Sequence, residues 1–186
     1  MRNFLKIDHV DARPLLLTLY QNQQFWKDNT LRQDCKGSPH HDTETIILRF
    51  NDISDAEIAP NDRDCIDYPL YDKLPEARSL VMWLMARVQG EQLGRVIIVR
   101  LAAGASVDQH KDQLDLAAFY ERFHIVLQAM PGVEFYCENE MVEMMPGEVW
   151  WFDNSLSHMV MNNSPQDRIH LIVDIKTRGE SGVANA

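Results

Sequence analysis

Cysteine is scarce in this sequence: Cys35, Cys65 and Cys137 are odd in number, widely spaced and form no CxxC pair. That pattern speaks against a disulfide-stapled secreted scaffold and for a reducing compartment. Basic residues are in deficit as well. Lys and Arg total 18 against 28 Asp and Glu, giving a formal charge of -10 and a pI near 5.1. With so much acid, no basic face suited to nucleic-acid phosphates is expected. Long apolar runs are missing too. In "MRNFLKIDHVDARPLLLTLY" only Leu15 to Leu17 run uninterrupted, so neither a signal peptide nor a membrane span is expected, and a cytoplasmic location is. No internal repeat or low-complexity segment is visible.

What is present suffices for one core. A chain of 186 residues that is 45% hydrophobic reads as a single domain, 1–186. Residues 1–90 would supply helices, a first strand and an acidic loop, 91–176 the strand-built core, and 177–186 a disordered tail. Asp11 and Pro14 start a helix that turns Leu15, Leu16 and Leu19 inward. A second helix is predicted from Pro75 to Gln89, with Leu80, Trp83, Leu84 and Met85 on its apolar face and Gly90 as its stop. The Asp-, Asn- and Pro-rich stretch from Asn51 to Asp72 reads as a long acidic loop, a candidate lid.

Strands dominate elsewhere: "TETIILRF" from Thr43, "RVIIVRL" from Arg95, "RFHIVLQA" from Arg122, "VEFYC" from Val133, "EMVEM" from Glu140, "EVWWFD" from Glu148, "SHMVMN" from Ser157 and "RIHLIVDI" from Arg168. Turn residues separate them, and short strands at this spacing predict a mainly β fold, a jelly roll with flanking helices. Two strands carry polar groups in alternation. Arg122 and His124 share one face with Val126, and Arg168 and His170 share one with Ile172. Such a face looks either at solvent, the commoner case, or into a pocket.

Three histidine–x–aspartate triplets could each offer two metal ligands: His9/Asp11, His40/Asp42 and His110/Asp112. A triplet alone is weak evidence, since a solvated turn reads the same way. His110/Asp112 has a downstream companion, His158, at the start of a strand. His9 sits beside a helix start where Asp11 can serve as a cap, and His40 has no clear downstream histidine in register. Two histidines and one carboxylate leave open positions on an octahedral ion, as non-haem Fe(II) chemistry needs, whereas structural zinc prefers four filled positions and thiolates. Arg168, on the next strand, could form a two-pronged pair with a carboxylate of a chelating cosubstrate.

From Arg95 to Ile175, the motifs "HKD", "RFHIVL", "PGEVWWFDNSLSHMVMNNS" and "RIHLIVD" resemble the aspartyl/asparaginyl beta-hydroxylase family of 2-oxoglutarate-dependent oxygenases, above all its bacterial proline-hydroxylase-like branch. The resemblance implies a double-stranded beta helix, the cupin-like form of the jelly roll. It implies His110, Asp112 and His158 as Fe(II) ligands and Arg168 as the anchor of the far carboxylate of 2-oxoglutarate. Arg122 and His124 would help hold that cosubstrate. The animal aspartyl hydroxylases have glycine where this chain has Asp112, so the chain departs from them and keeps a full triad. They also carry helical repeats that are not found here, which points away from a protein-domain substrate. The implied reaction is hydroxylation of an amino acid or amino-acid derivative by O2, releasing succinate and CO2, with ascorbate as an accessory reductant. The expected partner is this small molecule, an amino acid that is free or a residue within a peptide, with neither nucleic acid nor membrane. Two alternatives remain open on the residues alone: a jelly-roll binding module without turnover, and an isomerase or hydrolase using zinc or manganese in the same pocket.

Overall fold

Alternating burial builds the core, because successive residues of a strand face opposite sides. The computed structural model describes residues 3–28, 30, 39–52, 63–112 and 114–178. Among them, strands pair antiparallel into two sheets. The major sheet runs, in spatial order, β1 (Phe4–His9), β9 (Glu148–Phe152), β6 (Glu121–Gln128), β11 (Arg168–Thr177), β4 (Gly90–Leu101), β2 (Thr43–Phe50) and β3 (Ile66–Asp67). The minor sheet runs β5 (Ser106–His110), β10 (His158–Asn162), β7 (Val133–Cys137) and β8 (Glu140–Val142). This is the expected jelly roll.

Helices cover the outer face of the major sheet: α1 (Arg13–Gln21) and a 3-10 turn (Gln23–Lys27), with α2 (Pro69–Asp72) and α3 (Pro75–Arg87). A further short helix, α4, spans Leu114–Ala117. Leu15 and Leu19 of α1 and Ala77, Val81 and Leu84 of α3 meet Ile46, Ile98, Phe123, Ile125, Leu171 and Val173 from the sheet. Each fully buried aliphatic chain of this kind contributes about 1.5–3 kcal/mol. The stripe on α3 is therefore Ala77–Val81–Leu84, with the expected Leu80, Trp83 and Met85 flanking it, half-buried. Among the described residues, no helix is long and apolar enough to cross a membrane.

The inner face of the major sheet meets the minor sheet through Val126 and Phe152 on one side and Val107, Phe135 and Val160 on the other. Ile47, Ile97, Val99 and Ile172 form a smaller apolar group beside it. Buried on both faces, β11 is the middle of three layers.

The chain departs from the sequence expectations in four places. β1 was not anticipated: "FLKIDH" buries Phe4 and Ile7 and pairs with β9, although charges interrupt its apolar pattern. β4 starts at Gly90 rather than Arg95, because its first residues pair with the far end of β11. The supposed acidic loop is structured at its end, where β3 pairs with Arg49 and Phe50 and Pro69 begins α2; residues 53–62 lie outside the described residues. Of the expected tail, Thr177 closes β11 and Arg178 pairs with Glu91, while 179–186, like Cys35, lie outside the described residues.

Candidate metal centre and anion pocket

The register of β5 and β10 assembles the site. His110, the last residue of β5, and His158, the first of β10, are Cα partners in that pairing, which brings their ring centroids to 4.3 Å. Asp112 follows β5 by two residues. One ligand atom from each of His110, Asp112 and His158 lies within 4.8 Å of the others.

Local hydrogen bonds aim these ligands. The His110 Nδ1 is 2.7 Å from the Asp108 carbonyl, and the His158 Nδ1 is 2.9 Å from the Leu156 carbonyl. A carbonyl only accepts, so each Nδ1 carries the proton and each Nε2 keeps its lone pair for a metal. Burial pulls the His158 pKa down to about 4 against the opposing pull of Asp112, which keeps this ring neutral at neutral pH. Burial is the largest single influence on Asp112 and would raise it, but the Arg122 charge, the two neighbouring imidazoles and the Asn154 hydrogen bond together hold the carboxyl below its ordinary range. One Asp112 oxygen, Oδ2, accepts from Arg122 at 2.5 Å and from Asn154 at 3.1 Å. The donor set, two imidazoles and a carboxylate with no thiolate, fits a divalent iron with open positions better than a structural zinc.

The polar faces of β6 and β11 turn inward, not to solvent. His124, Arg168 and His170 are 3%, 2% and 1% exposed. Arg168 donates to the His170 Nδ1 at 3.0 Å, and the His124 Nδ1 lies 3.2 Å from that same atom. Among the described residues, no carboxylate pairs with Arg168, and burial alone brings its pKa down to about 9. The Arg168 Nε and the Nε2 atoms of His124 and His170 are buried without a hydrogen-bond partner. Both histidines are pushed well below the ordinary imidazole value, by burial first and the Arg168 charge second. Buried polar groups left unsatisfied cost free energy, so this cluster calls for an anion. Arg168 and His124 line a cavity with apolar walls from Ile97, Val99, Phe135, Phe152 and Val160, and His110 and His158 line it too.

An outer cavity of about 270 Å³ adjoins it, lined by His40, Arg95, Asp112, Arg122, Asn154 and Asp174 among others. Arg95 donates to the Asn51 Oδ1 at 2.8 Å and stacks over Phe50. Arg122 donates from Nε and NH2 to Asp174, at 2.7 and 2.9 Å, as well as from NH1 to Asp112. Burial would lower its pKa, but the two carboxylates hold it above the ordinary value.

All six candidates read from the sequence thus meet around one cleft. The other triplets do not form a comparable trio. The His9 ring packs on Gly147 while Asp11 accepts from the Arg13 backbone and guanidinium, and Asp42 pairs with His41. His40 is the surprise: its ring meets that of His110 edge-on at 5.0 Å, and it lines both cavities. Asn154, Asp174 and Arg95 were also missed. For Asp174 a signal existed, since alternation along "RIHLIVDI" puts it on the face of Arg168 and His170. Trp150 and Trp151 straddle the sheet, packing on the inter-sheet and helix-side cores respectively.

A model of the family described as aspartyl/asparaginyl beta-hydroxylase matches residues 19–178. The chain belongs to that family. Among its relatives, the L-proline cis-4-hydroxylase of Rhizobium meliloti (strain 1021) is 33% identical over 79 residues. That stretch is 42% of this chain and only 28% of the relative, so the chain spans well under two thirds of that enzyme. A prolyl-4-hydroxylase of Pseudomonas putida has the same fold at a TM-score of 0.51 and 13% identity, covering 96% of this chain and 95% of its own. An oxidoreductase of the 2OG-Fe(II) oxygenase family from Burkholderia pseudomallei gives 0.52 at 13% identity, over 75% of this chain and 68% of its own.

Proposed function

We propose that this chain is an Fe(II)- and 2-oxoglutarate-dependent oxygenase that hydroxylates a C–H bond of an amino acid or amino-acid derivative, releasing succinate and CO2. One observation carries the reading: the His110, Asp112 and His158 trio opens onto a buried, uncompensated Arg168 across an apolar-walled cavity. A metal alone would not need that cation. A dicarboxylate that reaches both does.

His110, Asp112 and His158 would hold the iron, and Arg168 would take the far carboxylate of 2-oxoglutarate where low dielectric strengthens the pair. Arg122 and His124 would help hold the cosubstrate; Arg122 uses three N–H donors on Asp112 and Asp174 and keeps others for an anion in the cavity it lines. Ile97, Val99 and Val160 suit the methylene chain and keep water out. The chemistry iron supplies when bound is activation of O2 coupled to decarboxylation of 2-oxoglutarate. The outer cavity, with Arg95 and Lys111 on its lining, offers positive charge to a substrate carboxylate. At about 270 Å³ it has room for a small ligand rather than a folded partner.

The test is to incubate anaerobically purified protein with Fe(II), 2-oxoglutarate and ascorbate, admit O2, and measure succinate across an amino-acid panel. Succinate should rise with one class of amino acid, together with a product one oxygen heavier. No succinate across the whole panel from metal-loaded protein would end the proposal.

A further inference from the structure

Asp174 lies opposite Arg122 in the β6–β11 register, and its side chain is 7% exposed. It takes two donors of the Arg122 guanidinium, Nε on Oδ1 at 2.7 Å and NH2 on Oδ2 at 2.9 Å. A two-pronged pair of this kind fixes the plane and tilt of a guanidinium, because the fork is rigid. With the plane fixed, the two N–H directions of NH1 are fixed as well, and one of them meets the Asp112 Oδ2. Asn154 donates to that same oxygen from the chain between β9 and β10. Asp112 is thereby held by Oδ2 from two sides, while among the described residues Oδ1 accepts no protein donor.

We propose that Asp174 is a positioning residue for the metal-binding carboxylate, acting through Arg122 to hold Asp112 by one oxygen and leave the other for the ion. The proposal rests on reading His110, Asp112 and His158 as the metal site. Geometry is half of the effect and charge is the other half. Arg122 alone would neutralise Asp112 and weaken its attraction to a dication. With Asp174 on its other edge, the Arg122 charge is compensated, and the three groups together remain one negative charge in excess. Asp174 thus lets a cation orient a metal ligand without cancelling it. Loss of a partner that orients a ligand lowers metal affinity on the order of 10–100-fold.

A merely structural pair tying β6 to β11 would give a different result, so the readout is metal binding and not turnover. Wild type, Asp174→Asn, Arg122→Gln and the double variant are titrated with Co(II), following affinity and the visible d–d bands, with Tm measured in parallel. Asp174→Asn should bind Co(II) at least about tenfold more weakly with shifted bands. The double variant should bind no more weakly than Arg122→Gln, since the first residue acts through the second. Wild-type affinity and bands in Asp174→Asn, even with a lowered Tm, would overturn the proposal, as would additive losses in the double variant. Should the amide variant fail to fold, Asp174→Glu keeps the charge but displaces the fork; it should shift the bands, and a wild-type spectrum and affinity there would equally overturn it. Wild-type protein that takes up no Co(II) would overturn the metal-site reading and this proposal together, whereas wild-type binding with an unchanged Asp174→Asn overturns this proposal alone.

Discussion

Replacing Arg168 with methionine should separate two free energies that the wild-type site sets against each other. Arg168 is 2% exposed, its polar neighbours are neutral imidazoles, and burial brings its pKa from 12.5 to about 9. At about 1.4 kcal/mol per unit, the fold carries on the order of 5 kcal/mol of desolvation with no counter-charge. Methionine removes the charge at similar length. Relaxation and the lost contacts to His170 and Phe135 offset most of the gain, leaving about 1–2 kcal/mol of stabilisation and a Tm higher by roughly 2–8 °C. The same substitution strips a buried carboxylate of its partner, a loss of about 3–5 kcal/mol, or roughly a hundred- to several-thousand-fold in 2-oxoglutarate affinity. Calorimetry reads both quantities: melting of the cosubstrate-free protein, and anaerobic titration of the metal-loaded protein with 2-oxoglutarate. Cosubstrate should raise the wild-type Tm and leave the variant's unmoved. A variant that melts below wild type, or binds 2-oxoglutarate within a few-fold of it, would refute the reasoning.

Asp112→Ala should lose metal binding while staying folded, measured by metal titration and far-UV circular dichroism; full affinity would remove Asp112 from the site. His40→Ala should leave the Fe(II) stoichiometry intact, because the ring stands beside His110 without joining the ligand trio, and a large loss would mean that the trio is incomplete. His124 and His170 are neutral in the fold and protonate in the unfolded chain near 6.5, so stability is full above that pH and falls as pH drops below it. The slope approaches about 1.4 kcal/mol per pH unit for each, and urea midpoints at pH 7.5 and 5.5 should differ accordingly, with His170→Phe flattening the difference. Gly147 has φ +85°, and a Cβ there would come within 2.5 Å of the His9 ring, so Gly147→Ala should cost about 2 kcal/mol or more and lower Tm by several degrees.

The legible parts of the sequence were those where chemistry follows a short period. Alternation in "RFHIVL" and "RIHLIVDI" put Arg122 with His124 and Arg168 with His170, and the structure keeps these faces together. Whether a polar face meets solvent or a cavity depends on the sheet opposite it, which alternation does not describe. The choice among three triplets likewise rested on His158, and it is the β5–β10 register that brings His110 beside it. β1 stayed hidden because Lys6 and Asp8 interrupt a strand whose buried residues are only Phe4 and Ile7. Asn154 lies in a turn, where no period applies, and nothing local sets it apart from the neighbouring Asp153 or Ser155.

The two halves of the cleft sit at opposite extremes of their sheets. β11, bearing Arg168, His170 and Asp174, runs between β6 and β4 in the middle of the major sheet, whereas β5, which ends at His110, is the edge strand of the minor sheet. Backbone amides at a sheet edge exchange with solvent through local opening, while those of a central strand exchange only when the whole domain unfolds. Deuterium should therefore enter the Ser106–His110 segment long before Ile169–Val173. A metal could come and go by way of β5 while the anion anchor on β11 stays built.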